Sequence, residues 1–231
     1  MEPPPLTKTP KHVLVRPLFC NPCCCLISEN DNGTSNAMTV SWLTPLDNHK
    51  LFLLSLNAKR HTLANLRARP SFILCPYVEG MEPLALACGA SSGSGAPACG
   101  KLAALGARLC APGGAAAAAP SSAGLPALAD SPAHLVCRVL GAAGLAAAAG
   151  GGGSGGGGGG AGGPLAGAAG ASAAAAEEEG GLKGHVALVC QVEEAFVAAR
   201  YWVEGKVFAA PSGAPRPLAF AGSKVFVAMG M

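Results

Sequence analysis

Two short segments hold the residue types with the most chemical potential. The first, Asn36-Ala37-Met38-Thr39-Val40-Ser41-Trp42-Leu43, has the composition of a strand, and a period of two puts Ala37, Thr39 and Ser41 on one face. A small, hydroxyl-bearing face can lie flat against a heteroaromatic ring and hydrogen-bond its carbonyl and ring-nitrogen acceptors. The other reading of this run is a barrel strand whose Thr and Ser face water. The second segment, Ser55-Leu56-Asn57-Ala58-Lys59-Arg60-His61-Thr62, sets two cations and a hydroxyl ahead of a helical pattern. A helix start carries free N–H groups and the positive end of the dipole, so a phosphate there gains amide bonds and cationic partners together. Alternatively, Lys59 and Arg60 are solvated charges and Thr62 is only an N-cap.

Other clusters carry less. Four of the ten cysteines, Cys20, Cys23, Cys24 and Cys25, lie together, and Cys75, Cys137 and Cys190 sit singly in apolar runs. That distribution suits buried, reduced thiols of an intracellular protein. The Cys20-Asn21-Pro22-Cys23 spacing lacks a second half-site or a nearby histidine cluster, so no metal site is expected. The segment 95–101 has the spacing of a phosphate loop, but Leu102 stands where that loop needs a hydroxyl for magnesium, and no strong strand precedes it. Glycines in 150–160 match a dinucleotide fingerprint only because nearly every position there is glycine. Asn32-Gly33-Thr34 is a formal glycosylation sequon inside a hairpin signature.

The elements that must position these residues are mostly short strands. Strands are expected at 23–28, 36–43, 51–57, 71–76, 134–140 and 185–197, with a last extended segment at 217–228. Asp31-Asn32-Gly33 marks a hairpin between the first two, since Asn and Gly tolerate positive φ. Helical spacing runs over 59–69, with Leu63 and Leu66 on one side and Pro70 ending it. Shorter helices are expected at 82–88 and 101–109. Many short strands, few helices and no βαβ alternation indicate a mainly β protein, a barrel or sandwich rather than a doubly wound sheet.

In this order, the segments resemble the flavin reductase-like family. The resemblance rests on Asn21-Pro22, Asn36-Ala37-Met38-Thr39-Val40-Ser41-Trp42, Ser55-Leu56 followed by Lys59-Arg60-His61-Thr62, Ala87-Cys88-Gly89 with Ser92-Gly93, and Gly184-His185-Val186. It covers roughly 13–228 once the low-complexity tracts are set aside. It implies a Greek-key split β-barrel that binds FMN non-covalently, forms a homodimer and uses NAD(P)H as co-substrate. By that analogy Asn36, Met38, Thr39, Val40, Ser41 and Trp42 line the isoalloxazine and ribityl region. Lys59, Arg60 and Thr62 hold the phosphate, with Ser55 also among the cofactor contacts, and Ser92, Gly93 and Lys101 form a facing edge. His185 would stand near the flavin as the catalytic residue, orienting nicotinamide or supplying a proton; otherwise it is a strand-end histidine satisfied by backbone. The sequence departs from the family where Gly184 replaces an acidic residue before the histidine and where Leu102 replaces an aromatic after the lysine. The activity implied is electron transfer from NAD(P)H to flavin; a non-catalytic FMN-binding electron carrier is the alternative, and a scaffold that has lost flavin is a third reading.

Composition sets outer bounds. The chain has 231 residues, and sixteen of its 33 glycines fall in 150–181, so the foldable part is nearer one ordinary domain than two. A formal charge of +3 with no Lys or Arg run beyond two residues argues against a nucleic-acid or polybasic membrane surface. Residues 1–10 have no apolar core for a secretory signal, and no stretch of about 18 strongly apolar residues exists; a cytoplasmic protein is expected. The organisation reads as a tail at 1–11 and one domain at 12–231 with low-complexity insertions at 111–124 and 141–181. Such composition does not repay the entropy of ordering, and lengthening a surface loop costs little. Replacing 141–181 with a short turn is therefore expected to leave the thermal unfolding midpoint nearly unchanged, whereas loss of soluble protein would make the tract structural.

Overall fold

The segment Cys-Cys-Leu-Ile-Ser-Glu is buried along nearly its whole length, which an unbroken apolar run achieves only in a strand covered on both faces. This strand organises the molecule. The structure, a computed structural model, describes residues 21–95, 97, 99–114, 124–143, 184–204, 207–222 and 224–229. The expected tail at 1–11, Cys20 and most of both low-complexity tracts lie outside the described residues.

In chain order the elements are β1 (Asn21–Pro22), β2 (Cys24–Glu29), β3 (Ser35–Val40), β4 (Leu43–Pro45), β5 (Leu51–Asn57), α1 (His61–Ala68), β6 (Ser71–Pro76), α2 (Glu82–Ala90) and α3 (Lys101–Ala104). They continue with β7 (Leu109–Cys110), β8 (Ala127–Leu128), β9 (Ala133–Ala142), β10 (His185–Val197), a 3-10 turn at Ala199–Tyr201, β11 (Trp202–Val203), β12 (Val207–Phe208), β13 (Leu218–Gly222) and β14 (Val225–Ala228). A seven-stranded antiparallel sheet in the order β3-β2-β6-β9-β10-β5-β4 curls into a half-barrel. The expected mainly β split barrel is the fold observed.

The pleat of β2 divides the core in two. Cys24 and Leu26 join Leu54, Leu56, Phe72 and Leu74 beneath Leu63 and Leu66 of α1. Cys25 and Ile27 face the other way, into a cluster with Ile73, Cys75, Tyr77, Ala85, Cys88 and Leu102. In β5, burial alternates as Phe52, Leu54 and Leu56 point inward. The β2–β3 turn is the expected hairpin: Gly33 has φ +78°, and Asn32 Oδ1 accepts from the Thr34 amide at 3.1 Å and hydroxyl at 2.7 Å. Between β4 and β5 the Asp47 carboxylate gathers the amides of His49, Lys50 and Leu51.

Four expectations need correction. The strand expected at 36–43 ends at Val40, and Leu43 opens a separate strand paired with β5. The helix expected over 101–109 ends at Ala104, because Gly106 takes φ +73° and the Ala107 amide turns back to Leu102 O at 3.0 Å. Freed from the helix, Leu109 pairs with Leu128. The extended segment expected at 217–228 is a hairpin, β13 against β14, with Lys224 in the left-handed region at φ 65°. Strand β9 also runs two residues into the tract read as an insertion from 141, pairing Gly141 with Val189 and Ala142 with Leu188.

An ion pair anchors the chain entering β13. Arg216 meets Glu79 with Nη2 at 2.7 Å and Nε at 3.1 Å, and its amide donates to Glu79 Oε2 at 2.8 Å. The guanidinium bonds foremost, then the amide, hold the Glu79 carboxyl down at about 2, from an ordinary 4.5. A depressed carboxyl supports the fold fully above its unfolded value and loses that support as pH falls through the folded one. In a carboxyl-detected NMR titration, Glu79 is expected to ionise near 2, and Arg216→Ala to return it toward 4.5.

Candidate functional site

The β5–α1 connection is shaped by Asn57, whose carbonyl accepts from the Arg60 amide at 3.0 Å and whose Oδ1 accepts from the Lys59 amide at 2.9 Å. The helix begins at His61 with Arg60 as N-cap, no side chain caps it, and its first turn holds no acidic residue. The Leu63 amide turns back to Arg60 O at 2.9 Å, and the amides of His61 and Thr62 and the positive end of the dipole have no side-chain cap, with Lys59 and Arg60 beside them. Thr62 lies inside the helix rather than capping it. Its hydroxyl accepts from Asn36 Nδ2 at 2.9 Å, a buried bond that ties α1 to β3.

Behind this bond runs a chain of buried amides. Asn65 Nδ2 donates to Ser28 Oγ at 3.1 Å and to Asn30 Oδ1 at 3.0 Å, and His61 Nε2 meets the same Asn30 oxygen at 2.9 Å. A carbonyl oxygen only accepts, so Nε2 of His61 carries a proton. Asn36 is 1% exposed, and among the described residues its Oδ1 has no partner. A buried carbonyl oxygen without a partner costs about 1–3 kcal/mol, and this one belongs to a residue that lines a cavity.

That cavity, about 150 Å³, lies between β3, the start of α1, the segment 88–93 and Lys101. Asn36, Met38, Lys59, Arg60, Thr62, Ser92, Gly93 and Lys101, all singled out from the sequence, line it together. Gly93 is required by proximity, since a Cβ there would collide with Asn36 Oδ1. Lys101 is 5% exposed and donates to Ala37 O at 2.7 Å, Cys88 O at 2.8 Å and Ser91 O at 2.7 Å. Its three ammonium protons are therefore spent on backbone, and it shapes the wall without a free donor. Burial, foremost, lowers its pKa.

The remaining sequence-derived candidates lie outside this lining. Thr39 donates to Ala85 O at 2.6 Å and meets Tyr77 Oη at 3.2 Å, on the α2 side of the sheet. Val40 is 4% exposed, within the α1-side core. Ser41 follows the end of β3. Trp42, Ser55 and His185 form a second group: the Trp42 and His185 rings stack with centroids 4.6 Å apart, and Ser55 Oγ lies 3.5 Å from His185 Nδ1. Burial first, then the Arg60 charge, lowers the His185 pKa, so Arg60 acts on both groups. The Ala58 amide bonds Gly184 O at 2.7 Å, which links the two places through the β5–α1 loop.

Four lining residues were not among the candidates: Ala37, His61, Cys88 and Ser91. His61 stands within the segment quoted for its cations, and its place at the first helical position was the available signal. Cys88 stands in the quoted segment Ala87-Cys88-Gly89, but its approach to β3 depends on how α2 crosses the sheet. Among the described residues, no three or more His, Cys, Asp or Glu side chains are grouped to hold a metal, and no helix is long and apolar enough to cross a membrane.

The shape is shared with solved structures at low sequence identity. Flavoredoxin from Methanosarcina acetivorans matches with a TM-score of 0.63 and 15% identity, over 99% of this chain and 93% of that one. An FMN-binding protein from Thermus thermophilus gives 0.60 and 13%, over 99% and 95%. Nitrilotriacetate monooxygenase component B from Bacillus cereus gives 0.64 and 14%, over 100% and 98%. No curated protein sequence matches the chain. Residues 16–154 match the flavin reductase like domain; this span contains every lining residue of the cavity, and the chain belongs to that family of flavin-related oxidoreductases.

Proposed function

We propose that the chain binds FMN non-covalently in this cavity and serves as an NAD(P)H-dependent flavin oxidoreductase. The observation that carries the reading is a pairing of two unmet polar groups: an orphaned buried acceptor, Asn36 Oδ1, beside an uncapped helix start with Lys59 and Arg60. FMN offers hydroxyl and ring N–H donors to the first and a phosphate to the second, so the donor set fits the molecule. The cavity volume of about 150 Å³ is below the roughly 300–1,000 Å³ of a whole small-molecule site. The cavity therefore takes part of the ligand, and the rest lies over open surface toward Trp42 and His185.

Bound flavin supplies the hydride-accepting and electron-releasing chemistry. The chain's own residues bind and orient. The helix start and the two cations hold the phosphate, Met38 offers a polarisable apolar wall, and Gly93 leaves room for close approach. Trp42 is 39% exposed and stacked on His185, which suits a platform for the nicotinamide ring, with His185 held neutral. Assembly as a homodimer in the cytoplasm belongs to the same reading, and light scattering at about twice 22.6 kDa tests the former.

The second reading, a flavin carrier without nicotinamide turnover, draws on His185 itself. Its neighbours are a stacked indole and a serine hydroxyl, and Gly184 stands where the family places an acid. Anaerobic mixing with FMN and then NADH or NADPH separates the two: an enzyme bleaches excess flavin over many turnovers, a carrier does not.

Lys59→Ala with Arg60→Ala is expected to weaken FMN binding by about 2 kcal/mol, two charge-assisted contacts reduced by solvent exposure. Quenching of FMN fluorescence measures it, and an unchanged affinity would withdraw the phosphate assignment. Gly93→Ala is expected to lower FMN affinity at least as far while leaving the far-UV circular dichroism unchanged, because the added methyl displaces Asn36 Oδ1.

A further inference from the structure

One imidazole ties together the two sides of the β7–β8 unit. Strands β7 and β8 pair Leu109 with Leu128 and Cys110 with Ala127, and beyond β7 the chain turns, with the Gly114 amide bonded to Ala111 O at 2.8 Å. His134 on β9 is 8% exposed. Its Nδ1 accepts from the Gly113 amide at 3.1 Å, and its Nε2 lies 2.8 Å from Leu128 O. The backbone approaches closely here. His134 and Phe196 are cross-strand partners, Gly113 has φ +76°, and a Cβ at Gly113 would strike the Phe196 ring. Glycine is what lets this amide reach the imidazole.

Both partners of the ring have fixed polarity. A carbonyl oxygen only accepts, so Nε2 carries a proton, and an amide N–H only donates, so Nδ1 carries a lone pair. The ring is therefore the neutral Nε2–H tautomer. A proton on Nδ1 sets two donors against each other at Gly113 and leaves the Leu128 bond in place, so the two contacts respond unequally. Burial, foremost, lowers the His134 pKa from an ordinary 6.5, against the Leu128 bond, which raises it. Of the ionisable groups on neighbouring elements, Asp130 after β8 pairs with Arg108 at 3.2 Å, and Glu193 on β10 pairs with Arg138 at 2.7 Å. Glu194 on β10 is exposed to water. Cys75 on β6 and Cys110 on β7 are thiols whose pKa burial raises.

We infer that His134 is a pH-operated clasp on the β7–β8 connection: the neutral ring holds Gly113 and Leu128 together, and the imidazolium lets Gly113 go while keeping Leu128. The proton comes from water onto Nδ1, and no covalent bond between heavy atoms changes. In the open state the ring has its ordinary value, and in the closed state a lower one. Closure is thus fully supported above 6.5 and loses that support as pH falls from there through the lowered value. Release uncovers the Phe196 ring, which packs against the core cluster that includes Cys88 and Leu102. The inference does not require bound flavin.

The test uses the full isotope-labelled chain without added flavin. Above 6.5 the ring nitrogen shifts are expected to show Nε2 protonated and Nδ1 bare. Amide hydrogen exchange, corrected for its intrinsic pH dependence, gives the second readout. Protection of the Gly113 amide is expected to fall about tenfold for each pH unit below 6.5, until the closed ring itself titrates. The Ala129 amide, bonded to Arg108 O at 2.9 Å, is expected to keep its protection, since the Leu128 side stays gripped. His134→Gln, which removes the titrating ring, is expected to level the Gly113 profile. A ring protonated on Nδ1 above 6.5, a level Gly113 profile in the unaltered chain, or an equal fall at Gly113 and Ala129 overturns the inference. The unaltered chain decides by itself where the variant fails to fold.

Discussion

The buried ammonium of Lys101 is the constraint on which the site depends. Taking such a charge out of water costs on the order of several kcal/mol unless each of its protons finds an acceptor. Here the three acceptors come from β3 and from the last turn and exit of α2. Carbonyls at a helix C-terminus are unpaired and carry the negative end of the dipole, so a cation is favoured there twice over. One side chain thus welds the helix to the edge strand of the sheet and sets the spacing across which the cavity opens.

The opposite wall is held by neutral hydrogen bonds. Asn36, Thr62, Ser28, Asn65, Asn30 and His61 form a buried relay from β3 through the β2–β3 turn to α1. Such networks specify a single arrangement when satisfied and are costly when not. The unmet atom among them is Asn36 Oδ1, beside Gly93. The uncapped start of α1 has the same character, since both leave polar groups unpaired where an interior would pair them.

Shape and sequence speak to different questions here. At 13–15% identity, the likeness to the solved structures establishes the curled sheet and its order. Family membership supplies the class of chemistry. What belongs to this chain is the distribution of charge around the cavity: Lys59 and Arg60 in its lining, Lys101 committed to backbone, and His185 outside the lining, stacked with Trp42.

Strands β5, β6 and β10 were legible residue for residue, because each is an apolar run bounded by turn residues, and such runs have few alternative states. The α1 start was legible too, since Lys59, Arg60 and Thr62 are neighbours in the chain and one turn brings them together. The helix at 101–109 and the strand at 217–228 were not, because a left-handed residue at Gly106 or Lys224 breaks an element without altering its apolar pattern. Local preference by itself thus determined the barrel class, the hairpin at Gly33 and the cationic helix entrance. Only the tertiary structure decided that Lys101 would spend its protons on three carbonyls, that Thr39 would turn toward α2 and that Cys88 would line the cavity. Those outcomes depend on contacts between residues far apart in the chain, and they follow from how α2 and α3 cross the sheet rather than from any spacing within a segment.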